Sequence, residues 1–97
     1  REQPFVLGVG ADTIRPEWDP GEQVLIQGII DAYFYEGEEI VLVDYKTDFV
    51  PKGQPERLAE KYRVQLDYYQ MALERLTGGR VKERLIYSFC LDREIPV

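Results

Sequence analysis

Apolar and polar positions follow a period of two over the first half of the chain. Pro4 to Val9 (Pro-Phe-Val-Leu-Gly-Val) predicts a short strand. Residues 10–22 hold Gly10, Asp12, Pro16, Asp19, Pro20 and Gly21 and predict a loop. Residues 23–35 are rich in β-branched and aromatic side chains and predict one long strand. Val24, Ile26, Gly28, Ile30, Ala32 and Phe34 share one face of it, and Leu25, Gln27, Ile29, Asp31, Tyr33 and Tyr35 share the other. Glu36-Gly37-Glu38-Glu39 predicts a turn. Ile40 to Lys46 follows as a second strand, with Ile40, Leu42, Asp44 and Lys46 on one face and Val41, Val43 and Tyr45 on the other.

The period then changes. Asp48 to Pro55 has two prolines and Gly53 and predicts a loop, with Pro55 in the first turn of a helix. Leu58, Tyr62, Leu66, Tyr69, Leu73 and Leu76 recur at spacings of three and four, the stripe of an amphipathic helix. Gly78-Gly79 is a C-terminal stop. Val81 to Cys90 predicts a further strand, with Cys90 as a core residue, and Arg93 to Val97 a last short one. Trp18 reads as a packing lid in the loop. The order β, β–β hairpin, α, β, β predicts one mixed α/β sheet domain over residues 1–97.

Composition narrows the chemistry. The 97 residues carry 12 Lys+Arg and 18 Asp+Glu, a net charge of −6, which argues against a free-standing tight nucleic-acid binder. It leaves room for a nuclease whose metal ions neutralise its own carboxylates. The absence of His removes His-ligated metals and His general bases, and the single Cys90 removes a disulfide and any Cys-built metal cluster. Catalysis therefore falls to Asp, Glu, Lys, Tyr or the backbone. No apolar run is long enough to span a membrane. The start Arg1-Glu2-Gln3-Pro4 is neither an initiator Met nor a signal peptide, and the expectation is a piece of a longer intracellular, cytoplasmic protein.

Asp31, Asp44 and Lys46 stand out. A turn centred between Gly37 and Glu38 sets Tyr35 opposite Ile40 and Asp31 opposite Asp44. Directly paired residues have Cβ atoms about 5 Å apart, so two carboxylates there repel. A divalent cation such as Mg²⁺ or Mn²⁺, which takes carboxylate and water oxygens, would compensate them. Lys46 lies two residues on and on the same face. Its ammonium could orient or deprotonate an attacking water, or stabilise charge on a phosphate. The plainer reading is a hairpin with two solvent-facing acids and a Lys salt bridge. On the helix, Gln65 and Tyr69 face one way and could border such a site, or could be a boundary residue and a core aromatic. Arg57, Lys61 and Arg63 could meet phosphates or form a solvated face. Gly8-Val9-Gly10 is not followed by a helix, so a dinucleotide-binding reading fails.

Three segments carry a resemblance. Gly28-Ile29-Ile30-Asp31, Leu42-Val43-Asp44-Tyr45-Lys46-Thr47-Asp48 and Tyr62-Arg63-Val64-Gln65-Leu66-Asp67-Tyr68-Tyr69 resemble the motif set of the RecB-type branch of the PD-(D/E)XK nucleases, in its order. The resemblance covers essentially the whole chain and implies a restriction-endonuclease-like mixed sheet with a flanking helix. It implies a Mg²⁺- or Mn²⁺-dependent deoxyribonuclease, expected as an exonuclease of a helicase–nuclease acting in double-strand-break repair and recombination. DNA, the rest of a parent helicase chain and its partner subunit would be the partners, with no membrane. Asp31 and Asp44 would be metal-binding acids, the main-chain carbonyl of Tyr45 a further ligand, and Lys46 the catalytic lysine. Gln65 and Tyr69 would border the active site and DNA. Thr47 and Asp48 belong to the motif without an assigned role.

In that branch a helix precedes the first strand and carries a metal-ligating His. This chain has no His and opens at the strand, so a fold without that helix, weak or inactive by itself, is the expectation. Iron–sulfur members use four Cys, which Cys90 alone cannot supply. Two readings compete with an enzyme: a module of the same fold that grips DNA or another protein chain without cutting, and a structural domain whose open faces await other segments.

Overall fold

The computed structural model describes residues 2–51 and 53–97. Strands β1 (Gln3–Gly10) and β2 (Gln23–Ile30) pair antiparallel as a two-stranded sheet, joined through a short 3₁₀ turn at Ala11–Thr13. Strands β3 (Ala32–Glu36), β4 (Glu39–Lys46), β5 (Arg80–Ser88) and β6 (Arg93–Pro96) form a four-stranded sheet in that order. The helix α1 (Glu56–Thr77) connects β4 to β5, which run parallel. A parallel pair needs such a crossover, because a tight turn can only reverse the chain.

The hairpin register agrees with the expectation: Tyr35 pairs with Ile40 and Ala32 with Val43. Gly37 takes φ +67 in the two-residue turn between Glu36 and Glu39, a conformation cheap only for glycine. The single strand expected over 23–35 is instead broken at Asp31, so that β2 pairs with β1 and β3 pairs with β4. Period-two patterning runs through the break, because both halves are extended and half-buried; only the change of pairing partner reveals it.

One face of the four-stranded sheet packs on α1. Leu58, Leu66, Tyr69 and Leu73 of the helix join Ile40, Leu42, Ile86 and Ile95 of the sheet and Phe5, Leu7 and Val9 of β1 in one apolar cluster. Leu76 departs from the expected stripe. It lies in the last turn, over a shallow hollow lined by Val6 and Ile29, and stays 58% exposed. The helix ends where Gly78 adopts φ +71 and its N–H bonds the carbonyl of Glu74. Two further expectations are corrected. Cys90 is exposed, because β5 stops at Ser88 and leaves it in the following turn, where its Sγ accepts the Val50 N–H at 3.3 Å. Trp18 covers no core; it is exposed and sits beside the Arg15 guanidinium, 5.6 Å from its ring.

Gly28 shows why the first motif segment needs its glycine. It pairs with Phe5, whose ring lies over the backbone, and a Cβ at Gly28 would stand 2.8 Å from Phe5 Cε1 and 3.4 Å from Tyr69 Cε1. Phe5 cannot give way, because it is buried edge-on against Tyr69 with ring centroids 5.4 Å apart. Gly28→Ala is therefore expected to lower the unfolding free energy in urea by about 1–3 kcal/mol, the usual range for overpacking a core. The cost should shrink in a Phe5→Leu background; an equal cost in both backgrounds would refute the ring contact as its cause.

Candidate active site

Three pieces of chain converge at the C-terminal end of β4. Alternation along β4 places Asp44 and Lys46 on the same face as Ile40 and Leu42, against α1. Asp44 is only 2% exposed, an uncommon place for a carboxylate. Asp31 sits at the corner between β2 and β3. Its Oδ2 accepts the main-chain N–H of Tyr45 at 3.0 Å, so a side chain replaces a ladder bond just past the last β3–β4 pair. On α1, Tyr62, Gln65 and Tyr69 are spaced by three and four, which puts them on one side of the helix.

These side chains interlock around the Lys46 ammonium. Its Nζ lies 3.0 Å from Asp44 Oδ2 and donates to Gln65 Oε1 at 2.9 Å. It also stands 4.0 Å from the centroid of the Tyr62 ring. The Asp44 contact is an ion pair in distance but not in hydrogen-bond geometry. Asp44 Oδ2 is thus buried with no hydrogen-bond partner among the described residues.

The electrostatics follow from this crowding. Burial pushes the Asp44 carboxyl up to about 6, and the neighbouring Asp31 carboxyl adds to the rise, while Lys46 offsets part of it. Burial also raises the Tyr69 phenol, with the negative charges of Asp44 and Asp31 contributing. Tyr69 hence faces both acids from the helix side while its ring packs on Phe5.

All five side chains singled out in the sequence, Asp31, Asp44, Lys46, Gln65 and Tyr69, meet here. The Tyr45 side chain turns to the opposite sheet face, beside Tyr87 and Phe89, as strand alternation requires. Asp48 gains a definite place that sequence reasoning did not assign. It accepts the Tyr62 hydroxyl at 2.9 and 3.1 Å and the Lys61 ammonium at 2.6 Å; the Lys61 contact first, and the Tyr62 hydroxyl after it, hold its carboxyl below the usual range. The available signal was its position two residues after Lys46, with Tyr62 one helical turn before Gln65. Lys61 is therefore engaged within the protein, while Arg57 and Arg63 are exposed.

The residues suit a hard divalent cation. Two carboxylates face each other, one with an unsatisfied buried oxygen, in a set of oxygen donors with no competing thiol or imidazole. No group of three or more His, Cys, Asp or Glu side chains is assembled among the described residues. The side chains alone would leave most of the coordination shell to backbone, water and substrate oxygens, as is usual for Mg²⁺. No helix among the described residues is long and apolar enough to cross a membrane.

Comparison with known proteins agrees with the motif reading. An ATP-dependent helicase/nuclease subunit of Syntrophomonas wolfei is 50% identical over 97 residues, covering 100% of this chain and 8% of that protein. A protein of the same name from Clostridium novyi is 44% identical over 101 residues, covering 100% of this chain and 8% of that protein. Another, from Ruminiclostridium cellulolyticum, is 47% identical over 93 residues, 92% of this chain and 8% of that protein. The chain thus spans about a twelfth of these relatives' length. The family model of the PD-(D/E)XK nuclease superfamily matches residues 2–94. With its core strands, its crossover helix and nearly its whole length matched by that one description, the chain belongs to the PD-(D/E)XK nuclease superfamily.

Proposed function

We propose that this chain is the phosphodiester-cleaving core of a Mg²⁺-dependent deoxyribonuclease, with Mn²⁺ as an alternative ion. The observation that carries the reading is the buried, unsatisfied Asp44 Oδ2, pressed between a second carboxylate and a lysine. That oxygen has the Lys46 ammonium at 3.0 Å and no hydrogen bond of good geometry, an arrangement a bound cation would complete.

Asp31, Asp44 and the main-chain carbonyl of Tyr45 would hold the ion, and Lys46, Gln65 and Tyr69 would face the scissile phosphate. When bound, the ion supplies Lewis acidity toward the phosphodiester. The residues do the rest. Gln65 Oε1 fixes the Lys46 ammonium, so its remaining N–H groups can orient the attacking water and stabilise the negative charge that grows on the phosphate oxygens. The Tyr45 N–H fixes the Asp31 carboxylate beside Asp44, where the two would hold the ion. The Tyr69 phenol stays protonated at neutral pH and can donate to a phosphate oxygen. Water adds to phosphorus as the P–O bond to the leaving nucleotide breaks; the attacking water gives one proton to solvent and the leaving oxygen takes one from it.

The parent would be an AddA-type helicase–nuclease that degrades DNA ends, as an exonuclease, during recombinational repair, together with its partner chain. Its own helicase motor would deliver the strand, which accounts for a nuclease core with a net charge of −6. The names of the relatives and the superfamily match support the helicase–nuclease part of this reading.

Three outcomes follow. Calorimetric titration of Mn²⁺ should show binding near one equivalent in the wild type and none in Asp44→Asn. Lys46→Ala should lower the cleavage rate of linear duplex DNA by about 10²-fold or more in the full-length protein while leaving the protein folded, as its circular dichroism would show; cleavage at the wild-type rate would remove Lys46 from the chemistry.

The third outcome concerns pH. A carboxyl raised from 3.8 to about 6 favours the fold when protonated, so its contribution is fully present below about 4 and is lost as pH rises through 6. In metal-free buffer, Asp44→Asn should be more stable than wild type at pH 8 by an amount of order 1–3 kcal/mol. The gap should close between pH 6 and 4 in urea melts. A gap independent of pH would contradict the buried, repelled carboxylate.

A further inference from the structure

Lys46 has one neighbour that the nuclease reading leaves without a task. The ammonium stands 4.0 Å from the centroid of the Tyr62 ring, within the range in which the electron-rich face of a phenol attracts a cation. A lysine is a point charge on a flexible four-carbon stem and does not hold a position unaided. Asp44 and Gln65 restrain its tip from two directions. The ring supplies a third.

The ring is itself held. The Tyr62 hydroxyl donates to both oxygens of Asp48, at 2.9 and 3.1 Å, and Asp48 is gripped from outside by Lys61 at 2.6 Å. Asp48 follows Lys46 by two residues, just beyond the end of β4, so the departing loop folds back onto α1 and ties the strand end to the helix. Lys61 lies 5.3 Å from the same ring but is exposed and bound to Asp48, so it does not take the place of Lys46.

We propose that Tyr62, anchored through its hydroxyl by Asp48, is a positioning residue that holds the Lys46 ammonium between Asp44 and Gln65. The inference rests on the reading of Lys46 as the lysine that acts on the phosphate. It adds a task for Asp48, which the motif contains without one. Tyr62 touches no reacting atom; its effect passes through Lys46 alone. Loss of the ring frees the lysine to sample other rotamers and should slow the chemical step about tenfold, the size of one good cation–π contact converted to a rate. Affinity for DNA should not change, because uniform binding is not what the ring supplies.

Two readouts test this separately. The first is the chemical shift of the Lys46 Cε protons in this 97-residue chain labelled with ¹³C-lysine, since they adjoin the ammonium that stands over the ring face. Tyr62→Leu should move that signal downfield, and Tyr62→Phe, which keeps the ring, should move it much less. The second is cleavage of linear duplex DNA by the full-length protein with Mg²⁺. Tyr62→Leu should lose about tenfold in kcat at unchanged KM, Tyr62→Phe should recover most of that loss, and Asp48→Asn should fall between.

An unmoved Lys46 signal in Tyr62→Leu would overturn the proposal. So would equal damage from Tyr62→Phe and Tyr62→Leu, which would assign the effect to the hydroxyl rather than the ring. Asp48→Asn keeps the test open should Tyr62→Leu fail to fold, since it loosens the ring without removing core volume. If Lys46→Ala is inactive while Tyr62→Leu cleaves normally, the positioning role alone fails. If Lys46→Ala cleaves normally, the nuclease role of Lys46 fails and takes the catalytic part of this inference with it.

Discussion

A carboxylate buried to 2% exposure, with a second carboxylate and an ammonium against it, is the interaction around which the rest of the molecule is arranged. Burying a charge is costly unless it is paired and hydrogen-bonded, and Asp44 is paired without being fully bonded. The fold tolerates this because the surrounding elements cannot relax. Ile40 and Leu42 precede Asp44 on the same strand face at 0% exposure, and Leu66 and Leu73 of α1 close over them, also at 0%. Close packing on one side leaves the acid nowhere to turn for water except the end of the strand, where Asp31 and Lys46 meet it.

The crossover topology brings the helix over that end. In β4–α1–β5 the helix must lie across the face of the parallel pair, so whatever β4 points toward it is faced by one stripe of α1. Near the strand's end that stripe sets Tyr62, Gln65 and Tyr69 among its leucines. Apolar pairing gives way to polar contact at the level where the strand leaves the sheet. The opposite face carries Tyr45, Tyr87 and Phe89 as an aromatic cluster, so alternate residues of one strand divide between that cluster and the Asp44–Lys46 pair.

The corner at Asp31 links the two sheets to that polar cluster. A strand that ran on unbroken would place residue 31 in a ladder, with its carboxyl fixed by pleat alone. The break lets the Asp31 side chain accept the Tyr45 N–H and so turns it toward Asp44. Just before the corner, the absent side chain at Gly28 lets the Phe5 ring settle on the backbone and against Tyr69. The glycine and the acid of one short segment thus serve different ends, close packing on one side and a carboxylate aimed at a neighbour on the other.

Much of this was legible in the residues. Period-two alternation fixed which β4 side chains share a face, the Gly37 turn fixed the hairpin register, and the three-and-four spacing of α1 fixed the helix stripe, because all three depend on local geometry alone. The family motifs pointed to the same five side chains that the fold brings together. Sequence by itself could not say that residues 23–35 change partners at Asp31, since an extended chain reads alike in either sheet. It could not give Asp48 a task or show that Tyr62 lies under Lys46, because those contacts join residues thirteen or more apart in the chain. Nor could it place Leu76 and Cys90 outside the core, because burial is a property of what packs on a residue, and the neighbours that decide it are chosen only when the chain has folded.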